Sequence, residues 1–186
     1  MKKYLMTIAA VLCCAMTTTL FTACGDDDDD NTKKPQDTPA TCAMDCTLYT
    51  DDETLVNFDF NVKYYDENGQ VQSEKPTWEP ANSEGYRTWK KKVTAKLPAS
   101  LGVLLEINAK DGLDMQKKYR ITTGQKMVFT SYTTSGVLID SYIPTYAIES
   151  LQNKEGLLEA YLNEHSKAVD ILCKYDSNGK PTTSKW

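Results

Sequence analysis

The chain has 186 residues, with 21 basic side chains against 26 acidic ones, a formal charge of −5 and a single histidine. That length suits one domain with its own core, and the acidic balance gives no electrostatic ground for nucleic-acid binding. Beyond the six cysteines, no histidine cluster completes a four-ligand zinc set, so neither a metal nor a cofactor is expected.

The N-terminus carries Lys2 and Lys3, an apolar run over residues 5–16, a polar Thr17-Thr18-Thr19 and small residues up to Ala23. These are the charged, apolar and processing regions of a signal peptide, and the run is shorter than the roughly 20 residues a spanning helix needs. Leu20-Phe21-Thr22-Ala23-Cys24 resembles a bacterial lipobox. The resemblance implies cleavage before Cys24 and acyl chains of the palmitate type on that cysteine; several chains on one residue anchor stably where one does not. The alternative is a plain secreted protein with an incidental Cys24. Asp26, Asp27, Asp28, Asp29 and Asp30 follow, a like-charge block that self-repels and stays solvated. An acidic run in that place is similar to the export signal of Bacteroidota surface lipoproteins, which implies the outer face of the outer membrane; a spacer on a periplasm-facing lipoprotein is the alternative. The tether extends over residues 24–41, with Pro35 and Pro39 and no large apolar residue after Cys24.

A single β-rich domain is expected over residues 42–186. Residues 44–50 read as a strand, Asp51-Asp52-Glu53 as a turn, and residues 54–65 as a half-buried strand in which Val56, Phe58, Phe60, Val62 and Tyr64 alternate with polar neighbours. Asn68-Gly69 favours a hairpin return. Residues 73–85, with two prolines, form the longest loop. Trp89, Val93, Ala95 and Leu97 then define the inner face of a strand whose lysines form a wet face that discourages edge pairing. Further strands are expected at residues 101–110, 119–122, 127–132, 137–143 and 169–175, with a turn at Gly124. After Pro144, the spacing of Ile148, Leu151, Leu157, Leu158, Tyr161 and Leu162 predicts an amphipathic helix capped by Asn153. The expectation is mainly β: an antiparallel Ig-like or transthyretin-like sandwich of about seven to nine strands with one C-terminal amphipathic helix.

Three cysteines follow the lipobox. A Cys46 to Cys173 disulfide would join the first and last strands, and buried free thiols are the alternative. His165 and Cys173 form a weak candidate for a nucleophilic dyad, and the acids Asp45, Asp51, Asp52 and Glu53 for carboxylate-pair hydrolysis or calcium; no catalytic residue is assigned. The candidate ligand site is the long loop with Trp78, Glu79, Asn82, Glu84 and Tyr86, because aromatic faces with amide and carboxylate groups hold sugars and peptides. Against it, Trp78 can instead plug one end of the sandwich. Three functions follow: a non-enzymatic surface binding module for a glycan, host or envelope protein, an accessory subunit of an envelope complex docking by a sheet edge, or a hydrolase with an unrecognised carboxylate site.

Overall fold

The structure is a computed structural model that describes residues 36–186; the signal region, Cys24 and the five aspartates lie outside the described residues. Gln36–Trp186 forms one unit. It is an antiparallel β-sandwich of ten strands, more than the sequence suggests, with two short helices.

The first sheet holds β1 (Pro39–Asp51), β4 (Tyr86–Lys96), β6 (Arg120–Thr133), β7 (Leu138–Tyr142) and β8 (Ala147–Gln152). The order is β4-β1-β6, and β7 and β8 both pair with the far side of β6. The second sheet runs β10 (Pro181–Ser184), β9 (Lys167–Tyr175), β5 (Ala99–Ala109), β2 (Phe58–Tyr65) and β3 (Val71–Glu74). Alternation places Cys42, Met44, Cys46, Leu48, Trp89, Val93, Met127 and Phe129 against Phe58, Phe60, Val62, Leu101, Val103, Leu105, Ile107 and Val169. Burial of one such large apolar side chain is worth about 1.5–3 kcal/mol, which makes this interface the main source of stability.

Order begins earlier than residue 42. Pro39, Ala40 and Thr41 already belong to β1, and the Asp37 carboxylate accepts hydrogen bonds from the hydroxyls of Thr133, Thr134 and Ser135 and from the Ser135 N–H. That clasp ties the entering chain to the turn between β6 and β7.

The Asp51-Asp52-Glu53 turn is instead the start of a helix, α1 (Asp52–Asn57). Asp51 Oδ1 accepts the Thr54 N–H at 2.8 Å, and Asp52 and Glu53 place negative charge in the first turn, where the helix dipole favours it. Residues 54–57 are therefore helical, not strand, and Val56 is 70% exposed. Thr54 is buried, and its Oγ1 accepts the Thr122 N–H at 2.9 Å while the Thr50 hydroxyl donates to the Thr122 carbonyl at 2.9 Å.

Gly124 is not a turn: β6 runs straight through it as one 14-residue strand. A Cβ there would lie 2.7 Å from both the Ala147 carbonyl oxygen and Ile148 Cγ1, so glycine is what lets β8 approach. β8 also replaces the first part of the expected helix. Phe129 pairs with Tyr142 and Gln125 with Ala147, so β7 and β8 run in one direction along β6, and residues 143–146, including the buried Pro144, bulge between them. The helix, α2 (Leu158–His165), is shorter than expected and has no side-chain cap. Asn153 is buried before it: its Oδ1 accepts the Tyr119 N–H at 2.7 Å and its Nδ2 donates to the carbonyls of Lys117 and Lys154.

Candidate binding site

The long loop crosses from β3 on one sheet to β4 on the other, and its side chains serve that crossing. Trp78 is half-buried and stands edge-on to Phe60, with ring centroids 5.4 Å apart and planes at 75°. Its indole therefore packs partly on the core. Glu79 accepts from Lys90 Nζ and from the Thr88 hydroxyl, each at 2.7 Å, and these bonds hold its carboxyl below the usual range. Asn82 shapes the tip: its Oδ1 accepts the N–H groups of Glu84 and Tyr86 at 3.0 Å, and Gly85 adopts a φ of +84°. Glu84 is exposed and Tyr86 half-buried. Trp78, Glu79, Asn82 and Glu84 thus share one loop while Tyr86 opens β4, and no open aromatic cradle forms among them. The backbone N–H groups of Glu79 and Asn82 donate to the carbonyls of Thr88 and Tyr86, covering that part of the β4 edge.

The lysine triplet is divided. Lys90 pairs with Glu79 at 2.7 Å and Lys92 with Asp45 at 2.8 Å, on the wet face. Lys91 points inward, donating to the Tyr64 hydroxyl at 2.6 Å with its ammonium 4.1 Å from that ring's centroid. Tyr64 Oη and Trp89 Nε1 both donate to Glu74, at 3.2 and 3.1 Å. This network closes the side of the sandwich between β3 and β4, and an inward lysine on an edge strand also discourages pairing with another chain.

The remaining acids are tied to cations: Glu53 to Arg120 at 2.7 Å, Asp51 to the same guanidinium at 3.5 Å, and Asp52 to Arg87. Asp51 and Glu53 thus meet on one Arg120 nitrogen, both ion-paired to it. Among the described residues, no three His, Cys, Asp or Glu side chains are grouped to hold a metal ion. His165 sits at the exposed end of α2 with its ring 4.5 Å from that of Tyr161, whereas Cys173 is buried in the core, so the two form no dyad.

No bond joins Cys46 to Cys173. Both are free buried thiols, as is Cys42. Burial pushes the Cys42 and Cys173 thiols up to about 11, with each other's proximity adding to the rise at Cys42, and pushes Cys46 higher still. The Tyr175 hydroxyl, buried beside Cys173, is raised by the same desolvation.

Two surfaces escaped the sequence reading. One is a cleft of about 960 Å³ at one end of the sandwich, between the turn at residues 67–69, the cis Leu97–Pro98 corner and the end of β9, with Lys96, Lys174 and Tyr65 in its wall. The other is the outer edge of the first sheet. Leu138 is 52% exposed, Ile143 65%, Tyr146 55% and Leu151 42%, all along the β7–β8 run. The sequence holds a signal for it: no lysine or arginine occurs between Lys126 and Lys154. No protein-family model, curated protein or solved structure matches the chain.

Proposed function

We propose that the protein is a lipid-anchored lipoprotein of the outer-membrane surface, a non-enzymatic module that binds another protein chain by strand addition at the β7–β8 edge. The anchoring part rests on the sequence from Leu20 to Asp30. The binding part rests on one observation: the four sheet edges are treated differently. β3 and β10 have four residues each, too short to template a long pairing. β4 carries lysines and is overlaid by the backbone of Glu79 and Asn82. β7 and β8, of five and six residues on either side of the 143–146 bulge, leave Leu138, Ile143, Tyr146 and Leu151 exposed and carry no basic residue, and among the described residues nothing pairs with their outer side.

Strand addition uses such an edge: main-chain hydrogen bonds supply affinity and alternate side chains supply selectivity. The loop of Trp78, Glu79, Asn82, Glu84 and Tyr86 was the rival site, and its internal bonding leaves it less suited to hold a glycan.

A photo-crosslinking residue at Leu138 or Leu151, in the full chain on intact cells, should yield a discrete adduct, whereas one at Lys92 on the opposite edge should not. Equal or absent crosslinking from both edges would remove the docking assignment. Protease treatment of the same cells tests the address, since a domain facing outward is digested without lysis.

A further inference from the structure

We infer that the cleft at the end of the sandwich binds a carboxylate-bearing oligosaccharide, a short run of uronic acid sugars, with Lys96 of the first sheet and Lys174 of the second as its cationic groups. The site shares no residue with the β7–β8 edge and stands without it.

Strand pairing brings the two lysines to one end of the molecule. β4 ends at Lys96, opposite Thr41 of β1, and Lys174 lies opposite Ser100, just past the Leu97–Pro98 corner where the chain passes from one sheet to the other. The turn after β2 supplies another side. Asp66 Oδ1 accepts the N–H groups of Asn68 and Gln70, each at 2.9 Å, and the Gly69 N–H donates to the Asp66 carbonyl at 3.1 Å, so that part of the wall is fixed before any ligand arrives. Tyr175, a core residue, also lines the cleft.

The polar side chains of this wall are unspent. In the Trp78 loop and around Glu74 such groups satisfy one another, whereas the side chains of Lys96, Lys174, Glu67, Asn68 and Ser100 have no hydrogen-bond or ion-pair partner among the described residues. Two ammonium groups and one carboxylate leave a local excess of positive charge in a chain of net charge −5, and that excess suits an anion. Size then excludes a lone inorganic ion as the fitting ligand: about 960 Å³ is the upper end of small-molecule sites. Sugar hydroxyls both donate and accept, which matches the amide of Asn68, the hydroxyl of Ser100 and the carboxylate of Glu67. Tyr65 adds an aromatic surface to the wall; its ring is held 4.8 Å from that of Trp186, whose N–H donates to Asp170.

Purified full chain in detergent should bind trigalacturonate saturably in isothermal titration calorimetry, and should bind the neutral galactose trisaccharide at least about tenfold more weakly, since the charge-assisted bonds are lost. Deuterium exchange of backbone amides should slow at residues 66–70, 99–100 and 173–175 when the acidic sugar is added. Joint Lys96→Gln and Lys174→Gln substitution should weaken the acidic sugar about tenfold and leave the neutral one unchanged. Lys126→Gln, on β6 and outside the cleft, should change neither. A urea midpoint of the double variant equal to wild type shows that the fold is kept. Binding of neither trigalacturonate nor a hyaluronan tetrasaccharide, equal affinity for acidic and neutral sugars, inorganic phosphate binding as tightly as the trisaccharide, or an unaffected double variant would each overturn the ligand class. Slowed exchange confined to residues outside the cleft would overturn the site. Photo-crosslinking at Leu138 or Leu151 reads the sheet edge alone, so its failure and the failure of the cleft are told apart.

Discussion

The Trp78 ring stands edge-on to Phe60 at 5.4 Å, which couples the longest loop to the second sheet. That contact makes Trp78 a packing residue. Trp78→Ala should destabilise the domain by about 2–3 kcal/mol, less than the full cost of emptying a buried aromatic site because the ring is half-buried. Urea unfolding of the variant gives the value; a midpoint equal to wild type would return the indole to the list of ligand-binding groups.

Thr54 Oγ1 accepts the Thr122 N–H at 2.9 Å, both residues being buried. Thr54→Val keeps the shape and deletes the acceptor, stranding a buried backbone donor. The expected cost is about 1–3 kcal/mol. Amide hydrogen exchange at Thr122 should accelerate more than at residues of the second sheet. Uniform acceleration would show that the loss is not local.

Asp37 provides a pH-dependent tie. Its carboxyl is lowered from 3.8 to about 2, first by the Ser135 hydroxyl, then by the Ser135 N–H and the Thr133 and Thr134 hydroxyls. A depressed folded value means stabilisation that is complete above about 3.8 and lost as pH falls through about 2. The Ser135 amide resonance should therefore move with an apparent midpoint near 2, and Asp37→Asn should abolish that titration. A midpoint at the ordinary carboxyl value would mean the clasp is not formed in solution.

The thiols act at the other end of the scale. Cys42 and Cys173 rise to about 11 from 9.0 on burial, so the unfolded chain ionises first and stability falls as pH climbs from about 9 to 11. At pH 8, alkylation mapped by peptide mass should label Cys42, Cys46 and Cys173 only after urea is added. Rapid labelling of the native chain would contradict their burial.

Where the chain alternates over a half-buried surface, the strands were legible: Met44 to Thr50, Phe58 to Tyr64 and Trp89 to Ala95 all fall as their pattern requires, whereas Leu97 lies just past the end of β4. Where it failed, the local signal fitted two structures equally. Ile148 and Leu151 are three apart, which suits a helix face; in β8 they point to opposite faces, and Leu151 is left exposed at the edge. Only the close approach over Gly124 decides for strand, and that is a tertiary fact. Asn153 resembled a cap because caps and buried bridges use the same amide, and its partners Tyr119 and Lys117 are more than thirty residues away. Asp51 was the opposite case: a capping acid three residues before Thr54 was readable, but the apparent alternation from Val56 into Phe58 masked it. Trp78, Glu79, Asn82 and Glu84 do fall in one loop and Tyr86 in β4, and what could not be read was that Phe60 would take the Trp78 ring.

β1 lies between β4 and β6 and pairs with both along nearly its whole length. Any pull on the chain at Gln36 therefore runs parallel to two ladders of hydrogen bonds that lie across the strand. Such bonds share the load and must shear together, whereas a terminal strand at a sheet margin would peel one rung at a time. A domain held by this end and dragged by whatever it grips would resist rupture at the place where the force enters. The Asp37 clasp would give way first, leaving the sandwich intact.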